Sequence, residues 1–113
     1  MKFSIEQRGT VTVIVLEGSL LGGPESTALN SKVNEMVDQG KTRLVIDLTG
    51  VEFMNSSGLG LLINSANTLK NAGGRLKLAN ASEKIAALLK ITKLSPLFET
   101  HPSVAAAVDS FTK

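Results

Sequence analysis

The sequence predicts an α/β fold in which a mixed, mostly parallel sheet of four to five strands packs against about four helices. Short segments of alternating or β-branched apolar residues occur in turn with longer segments whose apolar residues recur every three or four positions. Strands separated by helices require right-handed crossovers, which give parallel pairing. The predicted order is β-β-α-β-α-β-α-β-α, and one domain spans residues 1–113.

The first two strands are predicted to form a hairpin. Phe3 to Arg8 alternates apolar and polar residues, which is typical of a half-buried strand, and Gly9-Thr10 suits a turn. Val11 to Leu16 is apolar on both faces, which indicates a strand inside a sheet covered by helices. Because two residues cannot make a parallel crossover, we expect this pair to be antiparallel.

The first helix is predicted to begin near Pro24, because proline suits the first helical turn and Glu25 complements the helix dipole. Gly40 is a suitable residue to end it. A third strand follows at about Thr42 to Leu48. The apolar residues of this helix are Leu29, Val33, Met36 and Val37.

The segment from Val51 to Gly60 joins the third strand to the second helix and organises the rest of the chain. This helix is predicted from about Ser57 to Asn71, ended by Gly73-Gly74. Asn55-Ser56-Ser57 stands where a helix N-cap is expected, and local chemistry alone favours a capping role over a regulatory hydroxyl. The residues predicted to face the sheet are Leu59, Leu62, Ile63, Ala66 and Leu69.

The last third of the chain predicts two strands and two helices. Arg75 to Ala79 alternates as a fourth strand, and Asn80 to Ser82 supplies the N-cap of a third helix. After Pro96, Leu97 to Thr100 is predicted to be a short edge strand, and Ser103 to cap a last short helix. The apolar residues of the two helices are Ile85, Leu88, Leu89, Val104, Val108 and Phe111.

Composition excludes several classes of function. The chain has no cysteine, so we expect neither a disulfide framework nor a thiolate metal site, and no cofactor is implied. Twelve basic and ten acidic residues give a net charge of +2 without a basic cluster, and there is no Trp or Tyr for base stacking. We therefore expect no direct nucleic-acid binding. No apolar run approaches the ~20 residues needed to span a bilayer, which favours a cytoplasmic protein without membrane insertion.

Catalytic motifs are also poorly supported. His101 is the only histidine, and with Ser56 or Ser57 and Asp47 it only nominally completes a triad. The junction lacks the Gly-x-Ser-x-Gly turn that exposes a nucleophile. We therefore expect His101 to lie in a loop or at a strand end.

Two glycine-rich segments fail as nucleotide sites. Gly18 to Gly23 has the glycine spacing of a Walker A loop, but Pro24 and Glu25 replace the required Lys and Ser or Thr. Gly58-Leu59-Gly60 opens a helix after a strand, yet Ile63 stands where a dinucleotide fingerprint needs glycine. Small residues in this first turn instead favour close packing on the sheet.

The junction resembles the STAS domains, and among them the bacterial anti-sigma-factor antagonists. Those proteins have a strand ending in Ile-Asp-Leu-Ser and then Met-Asp-Ser-Ser-Gly-Leu-Gly at the start of a helix. The matching residues here are Val45 to Thr49, followed by Val51 and by Phe53 to Gly60. The likeness continues through Gly73 to Leu78 and through Ile91 to Phe98, so it covers nearly the whole chain.

The resemblance implies a binding module without catalysis. Such antagonists bind an anti-sigma factor that is a serine kinase, are phosphorylated on the first serine of the pair, and are reset by a serine phosphatase, often in stress responses. The phosphorylation site thus maps to Ser56 rather than Ser57, in a protein that is a monomer when free. The residues that the resemblance assigns to partner binding are Leu20, Leu21, Gly22, Asn55, Ser56, Ser57, Gly58 and Leu59.

Two departures from the family pattern concern the partner. Asn55 replaces a frequent Asp, which removes a negative charge beside the serine. The loop from Gly18 to Gly23 lacks an Asp that the family often has there, in a loop that lies near the serine and helps to contact the kinase. An antagonist in a non-sigma cascade, or a STAS subunit of a membrane-lipid ABC transport complex, remains an alternative.

Overall fold

The computed structural model describes residues 2–21, 24–93 and 98–111, with the side chains of residues 24–26 left out. The predicted α/β class and order of elements are confirmed. The elements are β1 (Lys2–Arg8), β2 (Val11–Glu17), α1 (Pro24–Asp38), β3 (Arg43–Gly50), α2 (Ser56–Asn71), β4 (Arg75–Ala79), α3 (Glu83–Ile91), β5 (Glu99–His101) and α4 (Val104–Ser110).

The sheet has the strand order β1-β2-β3-β4-β5. Only β1 and β2 pair in antiparallel fashion among the described strands, and the other three pairings are parallel. The predicted hairpin is confirmed, and Gly9 takes the positive φ of 61° that its two-residue turn requires. Strand β1 is mostly exposed rather than half-buried: Phe3 is only partly buried and Ile5 is 41% exposed, because β1 lies at the edge of the sheet.

The larger core lies on the sheet face covered by α1, α2 and α3. Of the residues predicted to face the sheet from α2, Ile63 alone is only partly buried, because it lies at the rim of the helical stripe. The buried ones are Leu59, Leu62, Ala66 and Leu69, and Leu61 joins them. Across the same core lie Ile14, Leu20, Leu29, Val33, Ile46, Leu78 and Ile85.

The opposite face of the sheet carries a smaller cluster under α4. Ala107 packs with Val11, Val13, Val45 and Ala79. The buried Lys77 belongs to the same face, and its ammonium is satisfied by neighbouring groups. Those neighbours are the Ser110 hydroxyl at 2.6 Å, the Glu99 carboxylate at 3.4 Å and the Phe111 ring, whose centroid lies 4.2 Å away.

Several element boundaries differ from the predictions by one or two residues, among them those of β3, α2 and β5. Strand β3 continues past Leu48 to Gly50, because the Gly18 N–H donates to the Gly50 carbonyl (2.9 Å) after a register shift in β2. Helix α2 begins at Ser56, one residue early, because Asn55 is the N-cap. Strand β5 comprises Glu99–His101, which puts His101 at a strand end as predicted, while Pro96 and Leu97 lie outside the described residues.

Within the ranges that the structure describes, no helix is both long enough and apolar enough to cross a membrane.

Leu62 tests the packing of α2 on the sheet. Its side chain is fully buried, so Leu62→Ala should lower the free energy of unfolding by about 2–5 kcal/mol, measured by urea denaturation. Asn64→Ala, at an exposed position of the same helix, should change it by less than about 0.5 kcal/mol. Equal effects of the two substitutions would contradict this packing.

Candidate functional site

The loop after β2 is hydrogen-bonded to the segment that precedes α2. The Leu20 N–H donates to the Phe53 carbonyl at 2.9 Å, and the Asn55 N–H donates to the Leu20 carbonyl at 3.3 Å. These bonds form an isolated parallel bridge between Leu20 and Met54. Because the Leu20 side chain is fully buried, this loop is anchored in the core as well as through its backbone. Two segments far apart in sequence thus form one continuous surface.

Gly58 lets the start of α2 lie against this loop. A Cβ atom at position 58 would lie 2.0 Å from the Leu20 carbonyl oxygen, a separation that atoms do not tolerate. The absence of a side chain is therefore required by close approach. The close approach explains why the motif has glycine at position 58.

Asn55 caps α2 and also contacts the loop. Its side-chain Oδ1 accepts a hydrogen bond from the Gly58 N–H at 2.9 Å, which pairs one of the free donors at the helix start. Its Nδ2 donates to the Leu21 carbonyl at 3.2 Å. The two partners fix which end of the amide is oxygen, because an N–H needs an acceptor and a carbonyl needs a donor.

Ser56 and Ser57 are the first two residues of α2, and both are exposed. The N–H groups of the first helical turn have no intrahelical acceptor, and the helix dipole places partial positive charge there. Only the Gly58 N–H is paired with the cap, while the Leu59 N–H bonds to the Asn55 carbonyl at 2.9 Å. The first turn carries no acidic residue. An anionic group on either hydroxyl would therefore meet a favourable local field.

The residues assigned to partner binding by resemblance fall into two groups. Leu21 is 50% exposed, Ser56 and Ser57 are exposed and Asn55 is partly buried, so these can contact another molecule. The other described residues are buried and support the surface from below: Leu20, Gly58 and Leu59. Gly22 lies outside the described residues.

Sequence reasoning did not include an apolar groove beside the junction. Phe53 is 48% exposed and Ile91 of α3 is 78% exposed, and they border a groove of about 330 Å³. Ile91 lies off the buried stripe of α3, and such a mismatch could have marked it in the sequence. The complete lining is Phe53, Met54, Lys84, Ile85, Ala87, Leu88 and Ile91.

Asp47 and His101 do not form a triad with the serines in the described part of the chain. Asp47 Oδ1 accepts from the Thr49 hydroxyl at 2.6 Å and from Asn80 Nδ2 at 3.0 Å. Partial burial raises the pKa of Asp47, but these hydrogen bonds outweigh it and the net pKa is lowered. The His101 ring instead bonds to Glu99 at 3.0 Å. Asp47 therefore links the ends of β3 and β4.

The described residues also contain no group of three or more His, Cys, Asp or Glu that could hold a metal ion. The chemistry that the junction offers is a pair of exposed hydroxyls at a helix N-terminus, held by a fixed loop and bordered by apolar side chains.

Gly58 and Gly60 give a matched pair for testing the contact between loop and helix. Gly58→Ala should lower the free energy of unfolding by about 2–3 kcal/mol, because the added methyl group collides with the Leu20 carbonyl. Gly60→Ala meets no atom within 4 Å and should raise stability by up to about 1 kcal/mol through its helix propensity. Chemical denaturation followed by circular dichroism measures both. An unchanged free energy of unfolding in Gly58→Ala would contradict the close approach.

Comparison with known proteins identifies relatives of this architecture. The anti-sigma-B factor antagonist of Bacillus subtilis (strain 168) is 37% identical over 71 residues, which span 63% of this chain and 64% of that protein. The crystal structure of an anti-sigma factor antagonist from Mycobacterium paratuberculosis gives a TM-score of 0.84 at 23% identity, covering 99% of this chain and 94% of that one.

The Bacillus cell fate determinant SpoIIAA, solved in its phosphorylated form, gives a TM-score of 0.77 at 25% identity. That similarity covers 97% of this chain and 99% of SpoIIAA. The sequence profile of the STAS domain matches residues 2–107, which include every strand and the helices α1 to α3 in full. The chain therefore belongs to the STAS domain family.

Proposed function

We propose that this protein is a cytoplasmic anti-sigma-factor antagonist in a partner-switching cascade of the stress-response type. It binds an anti-sigma factor that is a serine kinase, catalyses no reaction itself, and is released when the kinase phosphorylates Ser56. A serine phosphatase restores the binding form. The observation that carries the proposal is the exposed Ser56 hydroxyl at the start of α2, two residues after Met54, which lines the apolar groove.

The relatives support this class of function. Those reported above are named as antagonists of anti-sigma factors, or share their fold, and SpoIIAA exists in a phosphorylated form. The choice of Ser56 over Ser57 depends on the motif match, since both hydroxyls are exposed at neighbouring positions. Among the described residues, the absence of a hydrogen-bonded acid–base set at the serines supports binding without catalysis.

Phosphorylation at this position should leave the fold intact. A phosphoserine brings about 1.5–2 negative charges and three acceptor oxygens to a helix N-terminus that has free N–H groups and no carboxylate in its first turn. The same group placed in an interface adds bulk and a charge that must be desolvated. The charge is therefore tolerated by the free protein and opposes the complex.

The switch is tested by incubating the purified protein with the cognate kinase and ATP and mapping phosphate by mass spectrometry. We expect phosphate on Ser56 and a loss of affinity of about a hundredfold, or roughly 3 kcal/mol. Ser56→Ala should prevent modification and retain binding, whereas Ser56→Asp should bind poorly. Ser57→Ala is the matched control and should still be phosphorylated. Phosphate found only on Ser57, or undiminished binding of the phosphorylated protein, would contradict the switch.

The exposed apolar residues beside Ser56 should supply much of the binding energy. Phe53 lies three residues before Ser56 and is half exposed, and large aromatic side chains that become buried on binding are common hot spots. Phe53→Ala should therefore weaken kinase binding by at least about tenfold, measured by calorimetry. Ile5→Ala removes a side chain of similar exposure from the edge strand β1 and should have no effect. Equal affinities for the two variants would place the interface elsewhere.

Affinity purification from the native cell separates the alternatives. Recovery of an ATPase with a kinase fold that releases the protein after phosphorylation supports the proposed switch. Recovery of a permease together with its ATPase would favour the transport-complex alternative. A kinase partner without any associated sigma factor would favour an antagonist in another signalling cascade.

A further inference from the structure

We infer that Asn55 is a positioning residue whose side-chain amide holds the loop after β2, here residues 18–21, in the conformation that a partner meets. The inference deepens the proposed function and rests on it for the role in binding. The positioning itself rests on the geometry of the free protein. The contact joins residues 34 positions apart in the sequence.

Both ends of the Asn55 side chain are used at the same time. Oδ1 accepts from the Gly58 N–H on the helix side, and Nδ2 donates to the Leu21 carbonyl on the loop side. Together with the backbone bond from the Asn55 N–H to the Leu20 carbonyl, one residue binds two successive carbonyls of the loop. The helix start and the loop are thereby fixed relative to each other.

No other common N-cap residue can make both contacts. An aspartate would keep the bond to the Gly58 N–H, but its carboxylate has no proton to donate and would face the Leu21 carbonyl with like partial charge. A serine could cap the helix, but its single hydroxyl cannot bond to Gly58 and reach across to the loop as well. Among these caps, only the amide of asparagine can bond to the helix start and to the loop at once. We call this pair of hydrogen bonds the tether.

The tether holds Leu21, an exposed residue of the surface that is proposed to bind the partner. In the described ranges, Asn55 Nδ2 is the one group that bonds to the Leu21 carbonyl, while the Leu21 side chain is half exposed. Leu20 is anchored by its backbone and by burial, so Leu21 is where the loop leaves the core. Fixing this carbonyl sets the position of an apolar side chain relative to Ser56. A loop ordered before binding spares the complex the cost of ordering it.

Hydrogen exchange of the Leu20 amide, measured by NMR on the full chain, tests the tether without any partner. The Leu20 N–H is protected by its hydrogen bond to the Phe53 carbonyl. Because Leu20 is far in sequence from position 55, substitutions at position 55 do not alter the intrinsic exchange rate of the Leu20 amide. Loss of one neutral hydrogen bond should accelerate its exchange about three- to tenfold in both Asn55→Asp and Asn55→Ser. Val45→Ala, in the cluster on the opposite face of the sheet, lowers the stability of the whole fold and should leave Leu20 exchange unchanged, because this amide exchanges through opening of the loop alone.

Two controls separate the tether from charge and from folding. Asn64→Asp places the same negative charge on an exposed turn of α2 and should leave the exchange of Leu20 unchanged. Acceleration in Asn55→Asp alone, with Asn55→Ser unchanged, would assign the effect to charge and overturn the proposal. Equal acceleration of Leu20 exchange in Val45→Ala would show that this amide reports only general destabilisation and would overturn it too.

Binding to the kinase then tests the functional part. Asn55→Ser should weaken binding about three- to tenfold, mainly through a slower association rate, because the loop must be ordered on contact. Unchanged affinity would show that the loop is not used in recognition and would overturn the role in binding. Failure of the proposed function itself would appear differently: the unsubstituted protein would bind no kinase, whatever the exchange rate of its Leu20 amide.

Discussion

The close approach between the Leu20 carbonyl and the start of α2 is the constraint on which the functional surface depends. This oxygen accepts from the Asn55 N–H and leaves no room for a side chain at position 58. The contact brings the loop after β2 to the end of the segment that follows β3. The two exposed serines, Leu21 and Phe53 then lie on one surface because their backbones are joined at this point. The rest of the sheet and its helices supply the rigid support that this contact needs.

That support is asymmetric, which explains where the exposed groups can occur. Three helices cover one face of the sheet and bury the apolar stripe of α2, while the short helix α4 covers part of the other. Parallel strands place their carboxyl ends at one edge, so the loops after β2 and β3 emerge together. Asp47 reinforces this edge through Thr49 and Asn80, at the ends of β3 and β4. Functional side chains are thus carried by loops whose positions the strands fix.

Local periodicity was sufficient to predict the order of the elements, because each strand and helix repeats its apolar residues at its own period. Capping residues placed one N-cap within Asn80 to Ser82, where Ser82 is the cap, and another at Ser103, since a cap acts within one turn of its own helix. Local periodicity could not predict the contact of Asn55 with Leu21 or the groove beside Phe53, because both join segments distant in sequence. The same reason applies to β1, whose alternating pattern does not show that the strand lies at an uncovered edge.

The charge around Ser56 explains how a single phosphate could act as a switch here. Asn55 is neutral, the first turn of α2 has no acidic residue, and the exposed neighbours Leu21 and Phe53 are apolar. A partner that buries these residues meets no charge on them before modification and about two negative charges after it. Burial of an unpaired charge costs more than a surface ion pair contributes, so the difference between the two states is large without any change of fold. The uncharged residue at position 55 enlarges the contrast, because a carboxylate there would already have placed one negative charge on the unmodified surface.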